Sequence, residues 1–411
     1  MKKENKKIKE KPRQNIALVN LLLYQFLLVA TPFLLVRNYL QQAIGSLSQW
    51  SLTLAGFRMP YVLLTLVVFL LIILIYNRQR IKLKAFLIFA AVIVLMGIGQ
   101  SVTDYYFNHD FFELQHNWHY FAYGVFAWVS YLYHQKKGYS LVRYVWQTVL
   151  MGQLISVFDE TAQIFISGRV FDICDIGKDL WGVIVGMMVI IVSISSSGHK
   201  FRLWHKKLRN YFLNPYSAVF ILLIYGFLFL SIGSLLTETR YLGQVMLWSC
   251  GSFLFIFILI HLLQFKITRL IIIILLVAII ITSAVTIRQN SQKVIIQKQA
   301  GLLQWRGIPV PYFDLMIKKN GNMKLVDKKR YFNKKDKINR IYGMTEDILL
   351  IGSGSKGQGG KGFYDGESHF VYNPVTRKPL QILVYPNQQA CRIYNQLSSD
   401  DKEILFIIHN N

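Results

Sequence analysis

Long runs of apolar residues, almost free of charge, restrict this chain to folds that can place them in a lipid bilayer. A helix needs ~20 apolar residues to cross the hydrocarbon core. Nine stretches come close to this length, roughly residues 16–36, 61–76, 85–101, 119–134, 144–158, 180–196, 216–236, 242–264 and 270–286. Only 16% of the 411 residues are charged, whereas a soluble chain carries about a quarter. We therefore predict an all-α polytopic bundle of about nine spans with the lipid bilayer as its surroundings.

The distribution of basic residues predicts the orientation of the bundle. If the N-terminus is cytoplasmic, the inner segments hold 21 Lys and Arg and the short outer loops hold five. This asymmetry is what the positive-inside rule requires. An odd number of spans then predicts an extracytoplasmic C-terminal domain. The net charge of +25 is thereby explained by orientation and by anionic lipid, so a nucleic-acid partner is not expected.

The first fifteen residues form a strongly basic segment. Seven Lys and Arg lie between Met1 and Arg13, with no apolar periodicity. Such composition predicts a disordered cytoplasmic tail that touches anionic lipid. The simpler interpretation is a tail that only sets the orientation of the first span.

Two segments near the predicted outer surface concentrate ionisable residues, which are costly at membrane depth and so suggest function. In the first segment, Asp110, Glu113, His116 and His119 recur every three residues, which on a helix gives one polar stripe. The second segment runs from Asp159 to Gly186. Its polar and small positions are Glu160, Gln163, Arg169, Asp172, Asp175, Asp179, Gly182 and Gly186.

The spacing within the second segment suggests what each group does. Glu160 and Gln163 are one helical turn apart and share a face. The guanidinium of Arg169 suits bidentate pairing with a neighbouring Asp or with an incoming carboxylate or phosphate. Gly182 and Gly186 form a small-xxx-small face for close helix packing. The polar set therefore predicts either a ligand site or an internal network that closes the bundle, and the sequence leaves both open.

Metal binding and catalysis receive weaker support. Glu113, His116 and His119 offer oxygen and nitrogen ligands for a divalent ion, but the spacing is not His-Glu-x-x-His. We predict no cofactor and keep these three residues as weak metal candidates. Cys174 and Ser167 have no base at a recognisable spacing, so no catalytic residue is assigned and an enzyme is not the preferred interpretation.

The same polar residues resemble the signature of the VanZ-like family over about residues 85–196. The carrying positions are Glu160-x-x-Gln163, Gly168-Arg169-x-x-Asp172-x-x-Asp175, Gly182-x-x-x-Gly186 and, on the preceding span, His119-x-x-x-Tyr123. The family usually has Asn where this chain has Asp179, and often Asp-Lys where it has Gln115 and His116. The resemblance implies a membrane protein linked to low-level resistance to teicoplanin-type glycopeptides.

The composition changes after Arg288, which predicts a small folded domain behind a linker. Asn320-Gly321 between apolar runs indicates a hairpin. The runs 347–351, 381–385 and 403–409 predict strands, and residues 388–397 predict a helix. Gly352-x-Gly354-x-x-Gly357 is formally a dinucleotide motif, but no helix pattern follows it, so we interpret it as a loop. About residues 310–409 resemble a family of small α/β domains, named after an archaeal protein of unknown function and shared with a mitochondrial complex I assembly factor.

The predicted organisation has six parts: a basic tail (1–15), N-terminal transmembrane helices (16–84), a VanZ-like transmembrane domain (85–196), C-terminal transmembrane helices (197–287), a linker (288–309) and a small α/β domain (310–411). The leading functional prediction is an envelope-side module of the cell membrane that recognises a cell-wall or glycopeptide ligand. The alternatives are a membrane-embedded enzyme acting on a lipid-linked cell-wall precursor and a structural or sensory membrane protein.

Overall fold

The fold is described from a computed structural model of the chain. It describes residues 2–35, 50–54, 57–61, 68, 83–103, 114–166, 170–194, 202–328, 344–357, 359, 369–373, 376–399 and 402–411. The chain divides into two compact units, the first from most of residues 1–261 and the second from most of residues 262–411.

The first unit is a helical bundle with one short hairpin. Its helices are α1 (Lys2–Leu35), α2 (Leu83–Thr103), α3 (Leu114–Lys136), α4 (Leu141–Gln163), α5 (Ile173–Ile194), α6 (Arg209–Leu213), α7 (Pro215–Leu235) and α8 (Leu242–Leu262). The hairpin pairs β1 (Ser51–Leu54) with β2 (Phe57–Pro60). A further long helix, α9 (Lys266–Gln289), opens the second unit.

The predicted membrane architecture is confirmed in its main features. Among the described residues, α2, α4, α5, α7, α8 and α9 are long and apolar enough to cross a bilayer. Helix α3 covers the predicted stretch 119–134 but is more polar, and the apolar part of α1 is the shorter segment Asn15–Thr31. Most of the predicted span 61–76 lies outside the described residues. The count of nine therefore stays a prediction.

The basic N-terminal segment is helical, which differs from the predicted disorder. Helix α1 begins at Lys2 and continues without a break into the apolar stretch. Lys, Glu and Gln are good helix formers. Because the adjoining apolar helix already provides the nucleus, extending it avoids the unfavourable first turn. A prediction from charge and missing caps alone overlooks this continuity.

Helix α5 is the most buried of the candidate spans and forms the centre of the bundle. It crosses α3 closely because Gly182 and Gly186 have no side chain at the crossing. A methyl group built on Gly182 would lie 2.7 Å from the carbonyl oxygen of Tyr120. A methyl group built on Gly186 would lie 2.7 Å from the carbonyl oxygen of Gly124. The indole of Trp181 donates to the carbonyl oxygen of Leu95 on α2 at 3.0 Å. These contacts fix the position of α5 against its neighbours.

The second unit contains a six-stranded mixed sheet and a three-stranded sheet. The larger sheet has the order β7-β6-β11-β8-β10-β9, and its three neighbouring strands β11, β8 and β10 are parallel. The strands are β3 (Ile295–Gln299), β4 (Leu302–Trp305), β5 (Ile308–Pro311), β6 (Asp314–Ile317), β7 (Met323–Val326), β8 (Ile348–Gly352), β9 (His369–Asn373), β10 (Lys378–Tyr385) and β11 (Ile404–Ile408), with helix α10 (Asn387–Ser399) before β11. The C-terminal sheet domain predicted from the sequence is thus confirmed.

One detail of this unit agrees with the sequence predictions and one differs from them. The Asn320-Gly321 hairpin joins β6 to β7, and Gly321 adopts the left-handed conformation (φ +74°) that favours glycine. The predicted linker 288–309 is folded, since β3 to β5 form an antiparallel sheet within residues 295–311. Ile295 and Leu303 are fully buried in the core shared with α10, which explains why this segment is ordered.

Candidate functional site

Polar side chains of α3, α4 and α5 gather at one end of the bundle. The three helices run alternately up and down, so the start of α3, the end of α4 and the start of α5 lie together. His119 belongs to the first, Glu160 to the second and Asp175 to the third. We call this group the polar cluster; its members are His119, Ser156, Glu160, Gln163, Asp172, Asp175, Lys178 and Asp179.

The buried centre of the cluster is the carboxylate of Asp179, whose side chain is fully buried. The hydroxyl of Ser156 donates to one of its oxygens at 2.6 Å. The Nδ1 atom of His119 lies 2.8 Å from the other oxygen. A carboxylate at this depth needs such partners, because burying it unpaired costs several kcal/mol.

The second part of the cluster joins the end of α4 to the start of α5. Gln163 donates from Nε2 to Oε1 of Glu160 at 2.7 Å, which is the contact expected for residues one turn apart. The other Glu160 oxygen accepts from the backbone N–H of Asp172 at 3.0 Å. Asp172 itself caps α5, since its Oδ1 accepts from the backbone N–H of Cys174 at 2.7 Å.

Lys178 also belongs to the cluster, although the sequence does not predict it as a site residue. Lys178 donates from Nζ to Oδ1 of Asp175 at 2.7 Å, and Oδ2 of Asp175 lies 3.7 Å from Nε2 of His119. Lys178 is one of the five basic residues that the predicted topology places in the outer loops. Its i, i+3 spacing from Asp175 is the signal that identifies the pair. Ser156 has no such signal, because serine is unremarkable in a span.

Other predicted site residues have different surroundings. Tyr123 is 2% exposed. Gly182 and Gly186 lie at the α3–α5 crossing described above. Glu113 and Arg169 lie outside the described residues, as does the side chain of His116.

The described residues offer no ready-made metal site. No group of three or more His, Cys, Asp and Glu side chains within them is placed to hold a metal ion. Of the three weak metal candidates only His119 has a described side chain, and its Nδ1 is engaged by Asp179. Because Glu113 and the side chain of His116 lie outside the described residues, a metal held by Glu113, His116 and His119 stays a prediction.

Burial and charge together define what the cluster can do. Glu160 and Asp179 are fully buried, whereas the side chains of Asp175 and His119 are 23% and 19% exposed. The cluster holds four carboxyl groups against one lysine and one histidine, so acidic groups outnumber basic groups. It has a closed interior and an accessible edge, and that edge suits a ligand that donates hydrogen bonds or carries positive charge.

Comparison with known proteins finds a match in the part of the chain that contains the polar cluster. A family model described as VanZ/LLP1 matches residues 116–195, a segment that contains the whole polar cluster. The VanZ-like resemblance is thereby confirmed for residues 116–195, and this match together with the apolar helices supports a membrane protein. No curated protein and no solved structure matches the chain.

Proposed function

We propose that the polar cluster is the recognition site of an envelope-side membrane module that lowers susceptibility to teicoplanin-type glycopeptides. The observation that carries the proposal is the burial gradient within the cluster. Each carboxylate oxygen of Asp179 and Glu160 has a hydrogen-bond partner in the interior, while Asp175 and His119 keep accessible atoms at the edge. The accessible edge is the part of the cluster that a ligand can reach.

The proposed ligand chemistry follows from the edge. Asp175 presents a carboxylate already oriented by Lys178, and His119 is oriented by Asp179. Groups fixed in this way lose little conformational entropy when a ligand binds. A cell-wall or glycopeptide ligand offers amide N–H and amine donors that pair with such groups. Arg169, outside the described residues, is the proposed partner for a carboxylate of the ligand.

The test is drug susceptibility of cells that express the full chain. Asp175→Asn removes one accessible negative charge, and we expect it to abolish most of the resistance and to weaken teicoplanin binding by the purified protein roughly tenfold, the effect of one charge-assisted hydrogen bond. Arg169→Ala should act in the same direction.

The matched control is Glu238→Gln. Glu238 is another acid on the predicted outer side, paired with Arg240 and outside the polar cluster, so the same charge change should leave susceptibility unaltered. If Asp175→Asn and Arg169→Ala keep wild-type resistance at equal protein abundance, the recognition proposal is wrong. If they instead lower protein stability without altering the ligand response, the cluster is structural.

One observation favours the alternative of a membrane enzyme acting on a lipid-linked cell-wall precursor. The imidazole of His119 is held by a buried carboxylate through Nδ1 and leaves Nε2 near the accessible edge, as in a general base oriented by an acid. Stoichiometric zinc or manganese in the purified protein would favour this alternative. Turnover of a lipid-linked precursor that is lost in His119→Gln but kept in His205→Gln would establish it.

A further inference from the structure

A cavity of about 300 Å³ lies between α1, the end of α3 and the start of α4, away from the polar cluster at the other end of α3 and α4. We propose that this cavity binds the phosphate headgroup of an anionic phospholipid in the leaflet on the N-terminal side of the protein. The proposal does not depend on the function proposed for the polar cluster.

The polar end of the cavity is built for an anion. Arg143 lines it in the first turn of α4, with the guanidinium carbon 3.7 Å from the ring centroid of Tyr139. A guanidinium held over an aromatic ring is oriented by that contact, while the N–H groups at the edge of the guanidinium can still donate. Within the described part of the chain Arg143 has no carboxylate partner, so its charge is available to a ligand.

Two further polar side chains lie beside Arg143. Tyr133, in the last turn of α3, and Gln147, one turn after Arg143, both line the cavity. Gln147 is held in place because its Oε1 lies 2.8 Å from Nε2 of the buried His134. A cation, a phenol and a fixed amide around one small space match the donors that a phosphate diester requires.

The other end of the cavity is apolar and opens toward lipid. Leu18, Leu21 and Leu22 of α1 face Leu150 and Met151 of α4 across it. Leu22 is 54% exposed and Leu150 is 62% exposed, so their side chains continue the cavity wall onto the outer surface of the bundle. Acyl chains can lie along this surface while the headgroup enters the cavity.

The size and depth of the cavity agree with a headgroup. Small-molecule sites in proteins begin at roughly 300 Å³, which accommodates a phosphate and its glycerol but not a whole lipid. Arg143 and the two tyrosines lie where α3 ends and α4 begins, the level at which aromatic residues and cations meet lipid headgroups. A free phosphate would use the same donors but would gain nothing from the apolar end.

The test measures lipid binding by the purified full-length protein with native mass spectrometry in detergent. Phosphatidylglycerol should bind at least tenfold more tightly than phosphatidylcholine, and Arg143→Gln should remove about tenfold of the affinity for phosphatidylglycerol. Leu22→Trp, which fills the opening without altering charge, should also weaken binding. Arg269→Gln removes a cation from the start of α9 and should change nothing.

Three results would overturn the proposal. Equal affinity for phosphatidylglycerol and phosphatidylcholine would exclude an anion site. Unchanged binding in both Arg143→Gln and Leu22→Trp would place the lipid elsewhere. Inorganic phosphate binding as tightly as phosphatidylglycerol would assign the cavity to a soluble anion instead of a lipid.

Discussion

The buried carboxylate of Asp179 gives the sharpest stability prediction. Asp179 is fully buried and pairs with Ser156 at 2.6 Å and with His119 at 2.8 Å. Replacing it by Ala leaves both partners without their acceptor inside the bundle. Asp179→Asn keeps one carbonyl oxygen, so only one of the two contacts is lost.

The expected free energies follow from these two contacts. Each buried polar group left without a partner costs ~1–3 kcal/mol, and removing one member of a buried charged pair costs about 3–5 kcal/mol. We therefore expect Asp179→Ala to lower the free energy of unfolding by ~3 kcal/mol. Asp179→Asn should cost about 1–2 kcal/mol, because the hydroxyl of Ser156 can still donate to the remaining oxygen.

The assay is denaturant unfolding of the detergent-solubilised protein, combined with a double-mutant cycle between Asp179→Ala and Ser156→Ala. Residues in direct contact give coupling energies of about 0.5–3 kcal/mol, and we expect ~1 kcal/mol here. A loss below about 0.5 kcal/mol in Asp179→Ala, or strictly additive single variants, would refute the hydrogen-bonded centre of the cluster.

Three further predictions concern packing and titration. Gly186→Ala should destabilise the bundle by ~1–3 kcal/mol, since its methyl group meets a backbone oxygen of α3, whereas Gly251→Ala faces open space and should be neutral or stabilising in the same unfolding assay. Burial raises the pKa of the Cys391 thiol to about 12, so thiol reagents should modify it only after the domain unfolds, and fast alkylation of the native protein would contradict the fold. Lys319 lowers the pKa of Glu403 through a 2.8 Å contact. The contribution of this ion pair to the free energy of unfolding is present above the ordinary glutamate pKa and is lost as pH falls through the lowered value. The difference in unfolding free energy between wild type and Lys319→Gln should therefore vanish in acid.

Much of the architecture can be predicted from local patterns. Long apolar runs identify α2, α4, α5, α7, α8 and α9 because a span requires them. The Asn320-Gly321 step predicts the β6–β7 hairpin because only certain residues adopt a left-handed turn. Likewise, the one-turn spacing of Glu160 and Gln163 predicts a shared helix face, and their side chains are hydrogen bonded.

The remaining features depend on tertiary contacts that no local pattern encodes. Ser156 reaches Asp179 across 23 residues, and His119 does so across 60 residues, so neither contact can be deduced from spacing. The sequence alone counts Lys178 among the basic residues of the outer loops. Its burial follows from the position of α5 in the bundle, which the sequence does not show. The strands of residues 295–311 escaped prediction since their order comes from packing Ile295 and Leu303 against α10.

Envelope-side recognition requires the polar cluster to face the outer side of the membrane. The native cysteines do not report it, since Cys174 and Cys391 are 7% and 4% exposed. Val170 lies two residues before Asp172 and is 80% exposed, so Val170→Cys in a Cys250→Ala background provides an accessible thiol beside the cluster.

The measurement is labelling of this thiol in intact cells with a membrane-impermeant reagent. Gln135→Cys, at the exposed end of α3 on the opposite side of the bundle, is the matched control and should label only after lysis. If the polar cluster faces the envelope, Val170→Cys is labelled in intact cells. Labelling of Val170→Cys only after lysis, with Gln135→Cys labelled in intact cells, would place the cluster in the cytoplasm and contradict envelope-side recognition.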